Sequence, residues 1–93
     1  MRTIERSSAF KRDYKRESKG PHREALKSVF VEILVALAQD QPLAEKLRDH
    51  ALTGNWMGYR ECHIKPDLLL IYKKSDTETL RLARLGSHSA LEL

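Results

Sequence analysis

The residues in this sequence that could do chemistry are few. Four histidines are present, His22, His50, His63 and His88, and three of them lie in the second half. One aspartate, Asp67, follows Pro66 directly. No serine, threonine or cysteine stands out as an activated nucleophile. Histidines and a carboxylate without a nucleophile suit a reaction in which the substrate brings its own. Breaking a phosphodiester through a neighbouring 2′-hydroxyl is one such reaction: a base removes the hydroxyl proton, an acid protonates the departing 5′-oxygen, and cations hold the phosphorane charge. Imidazole serves both proton steps because its pKa lies near ~6.5. Asp67 could orient an imidazole or, with a raised pKa, act as the base. Arg60 or nearby lysines could steady the phosphorane.

Each residue also has an ordinary structural reading. Asp49-His50 reads as a solvated turn, His63 as an exposed strand residue, Asp67 as a turn residue after proline, and His88 as a polar cap. A metal site built from the same histidines lacks HExxH or CxxC spacing. Adjacent Cys62 and His63 point to opposite faces of a strand. The expectation is therefore chemistry without metal or other cofactor.

The elements that must position these residues can be read from periodicity. Residues 2–7 suggest a brief edge strand. Ser7 and Ser8 offer N-cap oxygens to a helix from Ala9 to Lys19, with Phe10 and Tyr14 on one face and Lys11, Arg12, Lys15, Arg16 and Lys19 on the other. Gly20-Pro21 ends it. From His22 to Gln39, Leu26, Val29, Phe30, Ile33, Leu34 and Leu37 recur at helical spacing, so a second helix buries one face. Residues 43–56 suggest a helical turn and a loop. Three strands follow, over 59–65, 68–72 and 80–85, joined by turns at Pro66-Asp67 and Ser75–Glu78. The reading is α+β: a helix hairpin packed on a small twisted antiparallel sheet. Centring the first hairpin on Pro66 sets His63 opposite Leu69. Centring the second near Asp76-Thr77 sets Leu68 opposite Leu85 and Asp67 beside Gly86. His63, Asp67 and His88 then share one sheet edge, with His50 in the loop that feeds it.

Ninety-three residues form one domain, 1–93, and no apolar run approaches the ~20 residues of a membrane span. One cysteine excludes an internal disulfide, and the charged first nineteen residues hold no apolar leader block. A cytoplasmic protein is expected. The net charge of +4 points to a polyanionic partner, nucleic acid first, with the basic helix face as a surface for ribosomal RNA phosphates.

Asp49-His50-Ala51-Leu52-Thr53-Gly54-Asn55-Trp56-Met57-Gly58-Tyr59-Arg60 resembles the D-H-x-L-x-G-x-W-x-G-Y-R run of YafQ-type toxins in the RelE/ParE superfamily. His63, Pro66-Asp67 and Leu70-Ile71-Tyr72 continue the match, and Leu85-Gly86-Ser87-His88-Ser89-Ala90-Leu91 closes it. About half the chain is covered; the first half agrees in layout only. The resemblance implies a type II toxin–antitoxin toxin: a metal-free, ribosome-dependent mRNA endoribonuclease that meets the 70S ribosome and mRNA and is neutralised by a cognate antitoxin. It carries catalytic positions onto His50, His63, Asp67 and His88; the favoured reading has His88 as acid and Asp67 as base, or the two exchanged, with His50 and His63 holding the phosphate and tuning them. Two positions depart from the family, which can carry aromatics where this chain has Leu68 and Glu92. The alternative is a ParE-like toxin that binds gyrase without cutting RNA; it would not need this set of residues.

Overall fold

Residues 1–93 are described by a computed structural model. Strand β1 (Thr3–Arg6) is followed by helices α1 (Ser8–Glu17), α2 (Arg23–Lys27) and α3 (Val29–Ala38). Strands β2 (His50–Ala51), β3 (Arg60–Lys65), β4 (Leu68–Lys73) and β5 (Thr79–Gly86) follow, then the single-turn helix α4 (His88–Leu91). Short 3-10 turns at Glu45–Leu47 and Gly54–Trp56 flank β2. The strand order is β1-β5-β4-β3-β2. The α+β architecture is the expected one, but the sheet is mixed. β1 runs parallel to β5, Thr3 opposite Thr79, while the other pairs are antiparallel.

Ser7 caps α1 as its residue type predicts: its Oγ accepts from Phe10 N at 2.9 Å. The long second helix is broken at Ser28, whose φ of −126° and ψ of −84° leave the helical region. Its hydroxyl donates to Glu24 O at 3.1 Å, so this side chain competes with the backbone ladder that a continuous helix needs. The apolar stripe survives the break, and Leu26, Phe30, Ile33 and Leu37 remain buried.

The helices cover one face of the sheet. Cys62 and Ile64, Leu68, Leu70 and Tyr72, and Leu80, Leu82 and Leu85 meet Phe10, Leu26, Phe30 and Ile33 there. At about 1.5–3 kcal/mol per buried large apolar side chain, this layer is the main source of stability. The other face holds a smaller cluster of Leu69, Ile71, Ala83 and Leu91, edged by Leu52, Trp56 and Tyr59.

Two bulges set the register. His63 pairs with Leu69 as expected, but Lys65 pairs with Leu68, so Ile64 is extra. In β5, Ile71 pairs with Arg84 and Tyr72 with Leu82, so Ala83 is extra. The second hairpin therefore differs from the sequence expectation. Leu70, not Leu68, faces Leu85, and Leu69 faces Gly86. Ala83 lets Leu82 and Leu85, three residues apart, face the same helices.

Beyond Arg6, α1 takes over the outer edge of β5 with side chains. Ser7 Oγ donates to Ala83 O at 2.7 Å, Leu85 N donates to Asp13 at 3.0 Å, and Arg16 donates to Leu85 O at 3.0 Å. Asp13 is 3% exposed and also binds Arg84 at 2.7 Å. Burial raises its pKa, but hydrogen bonds from Arg84 and the Leu85 amide, with the charges of Arg84 and Arg16, outweigh burial and hold the carboxyl below its usual range.

Candidate active site

Alternation along β3 decides which residues can meet. Cys62 and Ile64 point to the helices, so Glu61 and His63 point to the opposite face. β2 lies beside β3 with His50 opposite Glu61, which puts His50 on that same face. Its ring is fixed from behind: His50 Nδ1 is 2.7 Å from Arg48 O. A carbonyl only accepts, so Nδ1 carries the hydrogen and Nε2 is left toward the site.

His88 arrives from the other side. Ser87 caps α4, its Oγ accepting from Ala90 N at 3.0 Å, and Leu91 anchors the turn in the smaller cluster. The shifted register brings Asp67 level with His88. One Asp67 oxygen accepts from the His88 backbone N–H at 3.2 Å and sits 3.1 Å from His88 Nδ1. These bonds, the side-chain one first, hold the Asp67 carboxyl below its usual range.

His63 stands between the other two, its ring centroid 6.3 Å from His50 and 5.6 Å from His88. It is the most enclosed of the three, with a side chain 11% exposed against about half for His50 and His88. Behind them lies a residue the sequence reading passed over. Glu61 is 5% exposed, with one oxygen 3.4 Å from His50 Nε2 and the other 3.4 Å from His63 Nε2. The signal for it was the two-residue step to His63 on a strand. Glu61, His63 and His88 each offer a ligand atom within 4.8 Å of one another. Two imidazoles and a carboxylate suit zinc or copper better than magnesium.

The structure brings His50, His63, Asp67 and His88 together, and leaves other expected residues apart. Arg60 faces the helix side of β3, where it pairs with Asp49 at 3.2 Å. Buried Tyr72 donates to the same carboxylate at 2.5 Å. The Asp49 bond raises the Arg60 pKa, and burial raises that of Tyr72. Arg16 is tied to Asp13, Glu17 and Leu85 O. Lys11, Arg12 and Lys15 on α1, and Lys19 just beyond its end, are exposed, outside the histidine group and without ion pairs. Burial pushes the Cys62 thiol up to about 12, so it is a packing residue and not a nucleophile.

The chain and its fold have known relatives. Residues 2–92 match the family described as a bacterial toxin of type II toxin–antitoxin system, YafQ. The mRNA interferase toxin YafQ of Escherichia coli K12 is 39% identical over 91 residues, spanning 98% of this chain and 96% of its own. The YafQ toxin in the E. coli DinJ–YafQ complex superposes with a TM-score of 0.81 at 37% identity, over 97% of this chain and 96% of that one. A copper-bound mutant toxin from Helicobacter pylori superposes with a TM-score of 0.85 at 38% identity, over 98% and 99%.

Proposed function

The chain belongs to the YafQ family of type II toxins, and we propose that it is an mRNA endoribonuclease that cuts ribosome-bound message with the RNA 2′-hydroxyl as nucleophile. The observation that carries this reading is the row of three imidazoles, with a carboxylate behind each end. An in-line displacement needs its base and its acid on opposite sides of phosphorus. His50 and His88 flank His63 in that sense.

His50 is the base. With Nδ1–H held by Arg48 O, its unprotonated Nε2 takes the 2′-hydroxyl proton, and Glu61, 3.4 Å from that nitrogen, stabilises the imidazolium that forms. His63 holds the phosphate between them. His88 is the acid, giving its Nε2 proton to the departing 5′-oxygen. Asp67 fits the role of positioning residue better than that of base. Its carboxyl is already engaged by His88, and a depressed pKa makes it a weak proton acceptor at neutral pH. The partner inferred from the E. coli complex is an antitoxin, with acidic segments to suit a chain of net charge +4.

The test is cleavage by purified protein of programmed ribosomes and of the same mRNA free in solution, with product ends analysed. Cutting confined to ribosomes and ending in 2′,3′-cyclic or 3′-phosphate is expected; equal rates on free RNA would refute ribosome dependence. A transition-metal chelator, with magnesium left in place, should spare activity. Added copper or zinc should inhibit, because an ion on Glu61, His63 and His88 takes the imidazole of the acid and the one that holds the phosphate. Loss of activity on chelation, restored by zinc, would overturn the metal-free mechanism.

A further inference from the structure

The acid–base reading leaves one group of cations without a role. Lys46, in the 3-10 turn, and Arg48, which closes it, line a cleft with Lys65 at the end of β3. The cleft has a volume of about 470 Å³, an apolar wall that includes Val29 and Ile64, and His63 as a further lining residue. That volume falls within the roughly 300–1,000 Å³ of small-molecule sites. β2 covers β3 only at Arg60 and Glu61, so the edge from His63 to Lys65 is left open to this space.

The three cations differ from those that are ion-paired elsewhere in the fold. Arg2, Arg16, Arg60, Lys74, Arg81 and Arg84 each pair with a carboxylate within 4.0 Å. Lys46, Arg48 and Lys65 pair with none. Three unpaired cations lining one hollow give it a positive potential that favours an anion. Arg48 also holds a left-handed backbone, φ 50° and ψ 45°, uncommon for a residue with a side chain. In that conformation its carbonyl fixes the His50 ring while its side chain lines the cleft.

We propose that this cleft is a phosphate subsite for the RNA backbone next to the scissile linkage, entered from the His63 side; this rests on the nuclease reading. RNA is favoured over an acidic protein segment because the cleft opens directly onto a residue of the imidazole row. The cations would draw the strand in and fix its direction across His50, His63 and His88. They contribute to binding rather than to the proton steps.

The experiment is single-turnover cleavage on programmed ribosomes over a range of salt, giving a half-saturating concentration and a maximal rate. Lys46→Ala/Lys65→Ala should raise the half-saturating concentration about tenfold at low salt and leave the maximal rate unchanged. Its salt slope should fall by about 1.4, for two lost phosphate contacts at about 0.7 each. Arg48→Gly, which keeps the left-handed backbone and removes the cation, should shift the same quantity in the same direction. Lys74→Ala/Arg81→Ala removes equal charge at the far end of the sheet and should change it less than twofold. A cleft variant that matches this control while the parent cuts normally overturns the subsite alone. A parent that does not cut sinks the nuclease reading, and the subsite with it. Loss of antitoxin binding with RNA saturation unchanged would mark the cleft as a protein-docking surface and also overturn the proposal.

Discussion

The two faces of this sheet are built on opposite plans. Toward the helices, every inward position of β3, β4 and β5 from Cys62 to Leu85 is apolar or tyrosine, and most are fully buried. Toward the other side, apolar residues occupy only the middle, and the margin is given to Glu61, His63, His50 and His88. One face spends its surface on stability, and the other leaves its rim open to solvent and substrate. Chemistry sits where the helices stop covering the strands, and substitutions on the two faces should fail in different ways.

The largest expected effect is on the open face. His88→Gln should lower single-turnover cleavage about 10²–10⁴-fold, as loss of a general acid does. The melting temperature should barely move, since His88 is half exposed and Leu91 still anchors α4. A variant that melts early, or that cuts at the parent rate, breaks the contrast. Leu82→Ala probes the covered face. It opens a cavity under the helices and should cost about 2–5 kcal/mol in denaturant unfolding. The fraction that remains folded should cut at the parent rate; a crippled maximal rate would show that the faces are not independent.

Asp13 sharpens the comparison from the edge between them. Its folded pKa lies below the ~3.9 of an unfolded aspartate. The stabilisation it gives is therefore full above that value and is lost as pH falls through the lower folded pKa. Asp13→Asn should cost about 2 kcal/mol at neutral pH, the scale of charged hydrogen bonds. It should also flatten the acid limb of a stability–pH curve; an unaltered limb would remove Asp13 from the account.

Much of this was legible in the sequence, and the failures have physical causes. The D-H…G-Y-R run, Pro66-Asp67 and G-S-H named residues that the fold brings together, and pairing His63 with Leu69 survived because a turn at Pro66-Asp67 fixes a hairpin locally. The second hairpin slipped because its register is set by the bulge at Ala83. The trace of that bulge was the three-residue step from Leu82 to Leu85, where strict alternation predicts two. Arg60 was grouped with the histidines by its charge, although its odd–even offset from His63 already placed it on the other face. The break at Ser28 and the parallel pairing of β1 depend on partners distant in the chain. The buried role of Asp13 was not legible, because a helix periodicity does not reveal the strand backbone lying beside it.

The pairing of β1 and α1 with β5 also governs when the molecule can exist. Thr3 meets Thr79, and Asp13 meets Leu85 across 72 residues. The first elements to be synthesised have no docking site until the last strand has been made. Contacts this distant form only after a long loop is closed, and they place late steps at the end of folding. His88 lies beyond that strand, tied to Asp67 across 21 residues. A nascent chain can therefore display His50 and His63 while its proposed acid is still unmade. Through most of its own translation, the molecule is chemically incomplete on the machine whose message it is proposed to cut.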